Sequence, residues 1–222
     1  MTTLGELARE GALEFSDGYR TRRDQHADAG FRILRAGDVR DGRIYPDGPD
    51  FVGQRYASAI GAKAARVGDI VLTTKGTVGR TGRVTDLASQ VVYSPQVCFF
   101  RSRHPGMLDM RFFYHWLSSP EFLDQAGYLK SATDMAPYIS LKDLASTRIQ
   151  LPPLPTQVAI AEVLGALDDK IAVNARVAAA AVRLADSEYQ SARSQSSLVE
   201  STFDAVCSAS GGGTPSTKVP EF

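Results

Sequence analysis

Residues 151–173 read LPPLPTQVAIAEVLGALDDKIAV, and the rest of the chain is organised around this stretch. Three prolines stand among its first five residues. Because proline lacks a backbone donor and disfavours the helical conformation of the residue before it, a helix cannot enter from upstream. Thr156 then occupies the position of an N-cap. The sequence therefore predicts a new helix from about Thr156 to about Ser197, roughly 60 Å long at 1.5 Å per residue.

Apolar and small side chains recur along this helix at alternating steps of four and three residues. This spacing is typical of a coiled-coil seam rather than of the wider apolar stripe of a globular helix. The seam comprises Ile160, Leu164, Leu167, Ile171, Asn174, Ala178, Ala181 and Ala185. A helix with one apolar edge needs a partner, and a buried Asn174 would fix the register of that pair at some cost in stability. We therefore predict dimerisation through these positions.

The composition allows one well-packed core plus an appendage, since 43% of the 222 residues are apolar. The formal net charge is zero, which argues mildly against a nucleic-acid binder. Residues 1–150 hold 20 Lys and Arg against 17 Asp and Glu, whereas residues 151–222 hold 5 against 8. The charge asymmetry has the sign expected of a DNA-binding N-terminal region, but it is small.

Signatures of catalysis and of metal binding are missing from the sequence. The three histidines, His26, His104 and His115, are isolated, and Cys98 and Cys207 form no Cys-x-x-Cys pair. There is no Gly-x-Ser-x-Gly motif, no glycine-rich loop for a methyl donor and no nuclease cluster. The first residues hold no basic region followed by an apolar run, and no stretch approaches 18 apolar residues. We expect a cytoplasmic protein that is not an enzyme and uses no metal, cofactor or membrane segment.

Residues 66–84, RVGDIVLTTKGTVGRTGRV, predict a strand, a turn rich in glycine and a second strand. Polar and cationic side chains follow one another closely along this hairpin, and such groups hold phosphates and read base edges. They are Thr73, Thr74, Lys75, Thr77, Arg80 and Arg83. A purely structural hairpin is the alternative. A nucleotide-binding loop is disfavoured because the order Gly-x-x-x-x-Gly-Lys-Ser/Thr is absent.

Three further polar segments could contact phosphates or simply face water. Residues 16–24 are too charged to bury and carry Arg20, Arg22 and Arg23. A second loop, at 130–140, carries Lys130, Ser131, Thr133 and Tyr138. The third segment is a small basic cluster of Arg101, Arg103 and His104.

Other segments define the remainder of the domain. Strands are predicted at 31–35, at 42–45 and at 91–100, where Pro95 interrupts a buried strand pair. Helices are predicted at 110–117 and from Pro120, with Ser118 or Ser119 as cap and with their aromatic side chains in the core. The fold class is α+β: a mixed α/β domain with a β-rich core, followed by one long coiled-coil-forming α-helix.

The run from Ile149 to Asn174 resembles the conserved helical region of the DNA-specificity subunits of type I restriction-modification systems. The resemblance is carried by the proline stop and by Leu-Pro-Thr-Gln, Ile-Ala-Glu-Val-Leu and Leu-Asp-Asp-Lys-Ile. The pattern Gly-Asp-Ile-Val-Leu-Thr…Gly-Thr-Val-Gly is similar to the central hairpin of the family's target recognition domains. The loop ending in Tyr-Ile-Ser also matches a family loop that lies against DNA.

The resemblance implies a non-catalytic, sequence-specific DNA-binding subunit that directs a methyltransferase and endonuclease to a target. Its partners would be double-stranded DNA and methyltransferase subunits, with or without a restriction subunit. Full-length members pair two antiparallel helices within one chain. This chain has one such helix, so we expect a homodimer that reads a palindromic target with a spacer.

The expected domains are a target recognition domain at 1–150, a proline-gated helix at 151–200 and a Gly/Ser-rich tail at 201–222. The tail resembles the start of a second recognition domain, as in a half-length or truncated subunit. The alternative hypothesis is a coiled-coil scaffold or assembly protein that does not bind DNA, which the zero net charge favours slightly.

Overall fold

The computed structural model describes residues 1–131, 138–195, 201, 202, 205, 207 and 208, with only the backbone described at 128–131 and 195. The chain divides into two compact units, Met1–Asp168 and Asp169–Phe222. This division falls inside the long helix. The limits expected at residues 150 and 200 concern function and stay predictions.

Short strands and short helices make up the first unit, and one long helix follows them. The helices are α1 (Leu4–Arg9), α2 (Ala57–Ile60), α3 (Met110–Trp116), α4 (Pro120–Ser131), α5 (Leu141–Ser146) and α6 (Leu154–Gln195). The strands are β1 (Thr2–Thr3), β2 (Leu13–Asp17), β3 (His26–Ala27), β4 (Phe31–Leu34), β5 (Val39–Arg40), β6 (Gly42–Ile44), β7 (Phe51–Val52), β8 (Ile70–Thr73), β9 (Thr81–Arg83), β10 (Val91–Tyr93), β11 (Val97–Ser102) and β12 (Arg148–Ile149). The α+β class expected from the sequence is confirmed.

The described strands form three sheets. The largest has the order β2-β11-β8-β9-β6-β5, in which only β6 and β9 run parallel. The second has the order β10-β4-β7-β3, and β1 pairs with β12 in the third. Pairing of β1 with β12 brings the two ends of the domain together just before α6 begins.

The residues around Pro95 form two strands, as expected, but the two strands do not pair with each other. β10 pairs in parallel with β4, whereas β11 lies between β2 and β8 in the other sheet. Tyr93 and Phe99 nevertheless stack, with ring centroids 5.2 Å apart, in a core cluster shared by both strands. The segment thus connects the two sheets.

The main core contains the aromatic side chains of Phe112, Phe113 and Trp116 from α3 and of Phe122 from α4, as predicted. Phe113 lies edge-on to Phe100 at 5.2 Å, and Trp116 packs against Phe122 at 5.2 Å. Ser119 caps α4, since its hydroxyl accepts from the Phe122 amide at 3.3 Å. These contacts hold α3 and α4 against the largest sheet.

Helix α6 begins two residues earlier than the sequence predicted, and Thr156 as its N-cap is wrong. The Thr156 amide already donates to the Pro153 carbonyl at 2.9 Å. Pro155 fits within the first turn because an amide there has no helical acceptor to lose.

No helix in the described ranges is both long enough and apolar enough to cross a bilayer.

Candidate nucleic-acid interface

Strands β8 and β9 form the antiparallel hairpin that the sequence predicted. Ile70 faces Arg83 and Leu72 faces Thr81 in the ladder. Gly76 and Gly79 adopt positive φ angles of 77° and 98° in the connecting turn, a conformation that side chains other than glycine rarely adopt. The two glycines therefore shape the turn itself.

Two of the predicted contact residues, Thr73 and Thr74, lie inside this hairpin and are 0% and 4% exposed. The Thr73 hydroxyl donates to the Thr77 carbonyl and accepts from the Arg80 amide at 2.9 Å. The Thr74 hydroxyl donates to the Gln96 carbonyl at 3.2 Å. Both hydroxyls thus satisfy buried backbone groups, and this arrangement holds the turn in shape.

The remaining hairpin residues are accessible. Lys75, Thr77 and Arg80 are exposed. Arg83 is half-buried, and its guanidinium lies 4.9 Å from the centre of the Tyr114 ring on α3. A guanidinium over an aromatic face is held in place without losing its charge. The turn therefore presents two exposed cationic side chains, Lys75 and Arg80, and β9 adds Arg83, which α3 positions.

The second predicted loop meets the hairpin at Tyr138. Tyr138 and Lys75 form an antiparallel backbone bridge, and the Ile139 amide donates to the Thr74 carbonyl at 3.0 Å. The Lys75 ammonium lies 6.0 Å from the centre of the Tyr138 ring, which is 40% exposed. The structure thus brings together two segments that are more than 60 residues apart in the chain.

The other predicted residues of this loop are Lys130, Ser131 and Thr133. Lys130 and Ser131 are the last residues of α4, and their side chains are outside the described part of the structure. Thr133 lies outside the described residues altogether. Their assignment to the interface stays a prediction.

Arg20, Arg22 and Arg23 are all exposed. Their segment is anchored on the second sheet, where the Tyr19 amide donates to the Tyr93 carbonyl at 2.6 Å. Arg22 lies 3.5 Å from Asp24 in an ion pair open to solvent. Among the described residues, no hydrogen bond or ion pair joins these arginines to the hairpin.

The cluster of Arg101, Arg103 and His104 does not form one basic surface. Arg101 is only 7% exposed, so it is neither solvated nor available to a phosphate. Its Nε and Nη2 donate to the two carboxylate oxygens of Asp69, each at 2.7 Å. Arg103 pairs with Glu14 at 2.8 Å. The two arginines do not form a basic surface because the fold places the carboxylates of Asp69 and Glu14 beside them.

Asp69 is a buried carboxylate to which the sequence analysis assigned no role. Besides Arg101, it accepts from the Tyr93 hydroxyl at 2.7 Å and from the Arg66 amide at 2.9 Å. Burial and the neighbouring Asp69 carboxylate raise the pKa of Tyr93. This network lies at the start of β8 and supports the base of the hairpin. An arginine directly after the apolar run 97–100 was the signal that could have revealed it.

The predicted seam of α6 is exposed to solvent. The exposed fraction is 36% for Ile160, 37% for Leu164, 52% for Leu167 and 66% for Ile171. The smaller seam residues, Asn174, Ala178, Ala181 and Ala185, are exposed as well. Exposed apolar side chains in such a row mark an interaction surface.

A different row of the same helix is buried, and the sequence analysis missed it. Gln157 and Ala161 are 1% and 2% exposed. The Gln157 amide group accepts from the Asp109 backbone at 2.9 Å and donates to the Pro152 carbonyl at 2.9 Å. The start of α6 therefore packs on the domain through this row.

The described ranges contain no cluster of three or more His, Cys, Asp or Glu side chains able to hold a metal ion. Cys98 is buried and Cys207 is exposed. Burial raises the pKa of the Cys98 thiol, so Cys98 is an inert core residue.

The chain thus combines a β-rich domain that carries an exposed cationic turn with a long helix that has an exposed apolar edge. Residues 13–180 match the sequence model described as the type I restriction modification DNA specificity domain. This match covers more than half of the chain, and the chain belongs to that family.

Solved structures share the fold. One comes from a study of complex assembly and conformational transition of the type I R-M system, with a TM-score of 0.58 and 20% identity over 81% of this chain and 40% of that one. The HsdS subunit from Thermoanaerobacter tengcongensis gives a TM-score of 0.55 and 20% identity over 78% and 38%. The type I S subunit from M. genitalium gives 0.51 and 16% over 83% and 43%.

The chain thus spans about two fifths of the length of the solved structures it matches. No curated protein matches it. At these identities the structures support the fold of the domain and of its long helix.

Proposed function

We propose that this chain is a non-catalytic DNA-specificity subunit. It binds a short sequence in double-stranded DNA and directs a type I restriction-modification methyltransferase, and any associated restriction subunit, to that target. The observation that carries the proposal is the match of the specificity-domain family over residues 13–180.

The hairpin turn is the proposed centre of the DNA interface. Lys75 and Arg80 are exposed cations on one tight turn, Thr77 adds an exposed hydroxyl, and Tyr138 lies beside them. These groups can bind phosphates and base edges within a small area. In this proposal Thr73 and Thr74 shape the turn, and Arg83 approaches DNA from its position over Tyr114.

Two further groups of proposed DNA-contacting residues lie outside the hairpin turn. Arg20, Arg22 and Arg23 supply exposed positive charge on the segment anchored to the second sheet, which suits phosphate contacts that orient the protein. Lys130, Ser131 and Thr133 complete the proposed set on the loop that ends at Tyr138.

The free edge of α6 supports a homodimer. Ile160, Leu164, Leu167 and Ile171 would all leave water if the edge met the same edge of a second copy. A two-fold dimer would hold two recognition domains at a fixed span, and its target would be a palindrome interrupted by a spacer. Methyltransferase subunits would bind the helices and the flanks of the domains.

The test is selection of duplexes from a randomised DNA pool by the full chain at low salt, with sedimentation of the chain in parallel. We expect enrichment of two short inverted elements, a mass of two 24.0 kDa chains, and an affinity that falls steeply as salt rises.

Dimers without enrichment, and without DNA affinity when methyltransferase subunits are added, would support the scaffold alternative. A monomer that still selects one short element would remove the homodimer and keep the DNA-binding function.

A further inference from the structure

A second apolar surface lies next to the start of α6. It is a groove of about 410 Å³ between α3, the start of α4 and the first turns of α6. Its apolar walls are Phe112, Trp116, Pro120, Pro152, Ile160 and Leu164. Glu121 and Gln150 provide a polar rim. Such a groove suits a side chain with an apolar body and a polar tip.

The groove and the seam share two residues. Ile160 and Leu164 line the groove and also begin the seam, with exposed fractions of 36% and 37%. A partner that covers the seam therefore passes directly over the groove. The groove lies entirely within the first compact unit, Met1–Asp168.

The seam is self-complementary in side-chain size. Its first half carries large residues, from Ile160 to Ile171, and its second half carries small ones, from Asn174 to Ala185. A parallel pair would place large side chains on large ones at one end and alanines on alanines at the other. An antiparallel pair places large against small throughout, which keeps the helix spacing even.

This matching defines the register. The layers are Ile160 with Ala185, Leu164 with Ala181, Leu167 with Ala178, and Ile171 with Asn174, each pairing one copy with the other. In heptad terms every layer joins an a position to a d position, as an antiparallel coiled coil requires.

A second row of α6 lies beside the seam and includes Ala161, Asp168, Val182 and Tyr189. This row determines which side chains of a partner lie near the groove. In each chain Ala161 of this row is buried on its own domain, and Asp168 lies 4.0 Å from His115. In an antiparallel pair this row of one helix faces the same row of the other helix. The partner's Val182 and the partner's Tyr189 therefore approach the side of α6 that carries Ala161 and Asp168. In the register above, these two residues lie level with positions 163 and 156, on either side of Ile160.

We propose that Val182 and Tyr189 of a second copy fill this groove, once on each side of the two-fold axis. The inference rests on the proposed homodimer and adds a contact between the helix of one copy and the recognition domain of the other. Val182 and Tyr189 are 69% and 62% exposed in the single chain. Their burial fixes the orientation of each domain on the helix pair, and thereby the span between the two DNA elements.

The first experiment tests the register. Ile160→Cys and Ala185→Cys are made separately in the full chain carrying Cys207→Ser, which leaves buried Cys98 as the other thiol. We expect a disulfide-linked dimer when the two variants are mixed and oxidised, and none from either variant alone. Self-linking of either variant alone, or no link in the mixture, would overturn the register.

The second experiment tests the groove. Tyr189→Ala in the full chain should weaken dimerisation at least about tenfold, since two aromatic side chains are removed from each dimer. Gln190→Ala is the matched control, because this neighbour faces away from the seam, and its dimer affinity should change less than about twofold.

The chain has one tryptophan, Trp116, and it lines the groove. Its emission should change on dilution through the dissociation range of the wild type, and the change should be smaller for the Tyr189→Ala dimer at saturating concentration. Wild-type dimer affinity in Tyr189→Ala would overturn the groove contact and leave the homodimer intact. A wild-type chain that stays monomeric would remove both.

Discussion

Arg101 donates to both carboxylate oxygens of Asp69, with each nitrogen 2.7 Å from its oxygen. The side chains are 8% and 1% exposed, so this is a buried ion pair at the base of the hairpin. Removing one partner of such a pair leaves an uncompensated charge in the protein interior. The support of the hairpin of β8 and β9 is therefore electrostatic as well as apolar.

Asp69→Ala should lower the free energy of unfolding by about 3–5 kcal/mol, because Arg101 and the Tyr93 hydroxyl would lose their buried acceptor. Urea denaturation measures the effect. Asp24→Ala is the control, since its pair with Arg22 is open to solvent and should leave the stability nearly unchanged. Equal stabilities of the two variants would contradict the role assigned to Asp69.

Lys75→Ala and Arg80→Ala should each weaken binding of the selected DNA. If each side chain contacts one phosphate, the slope of log affinity against log salt should fall by about one per variant. Binding titrations at several salt concentrations measure both quantities. Arg183→Ala, on the outer face of α6, should keep the wild-type slope. An unchanged slope for both hairpin variants would exclude the turn from the DNA interface.

Ala178→Glu and Ala180→Glu form a matched pair on one turn of α6. Ala178 is a seam position, so its substitution would bury two carboxylates in each dimer, whereas position 180 faces away from the seam. We expect a monomer for Ala178→Glu and a dimer for Ala180→Glu by sedimentation, with equal helix content by circular dichroism. Dimers from both variants would show that this edge does not mediate association.

His115 should make the stability of the domain depend on pH. Burial lowers the pKa of His115 below its ordinary value of 6.5; Asp168 opposes this shift and Arg83 adds to it. The unfolded chain therefore takes up a proton at higher pH than the folded chain. The contribution of His115 to the free energy of unfolding should be fully present above about pH 6.5. It should decrease as the pH falls towards the pKa of His115 in the folded chain.

Urea unfolding between about pH 5 and pH 8 tests this dependence. His115→Gln should reduce the loss of stability on acidification, and His104→Gln, at an exposed position, is the control. If His115→Gln kept the pH dependence of the wild type, His115 would not be the cause of the loss of stability on acidification.

Local patterns were sufficient for several elements. The hairpin of β8 and β9 was predicted because β-branched residues and two glycines lie within 14 positions of each other. The start of α6 was misplaced because proline is tolerated in the first turn of a helix as well as before it. Thr73 and Thr74 are polar like their exposed neighbours, so nothing in the sequence indicated that they are buried. Their hydroxyls can be buried because Thr74 donates to the Gln96 carbonyl and Thr73 accepts from the Arg80 amide.

The sequence alone determined the long helix, its apolar edge and the hairpin. These features depend on backbone periods of about 3.6 and 2 residues, which adjacent side chains reveal. The tertiary structure alone decided that Gln157 and Ala161 are buried while the seam stays free, that Asp69 holds Arg101, and that Tyr138 meets Lys75. Each of these contacts joins residues far apart in the chain, and burial depends on the surface that the fold brings opposite a side chain, which no local period encodes.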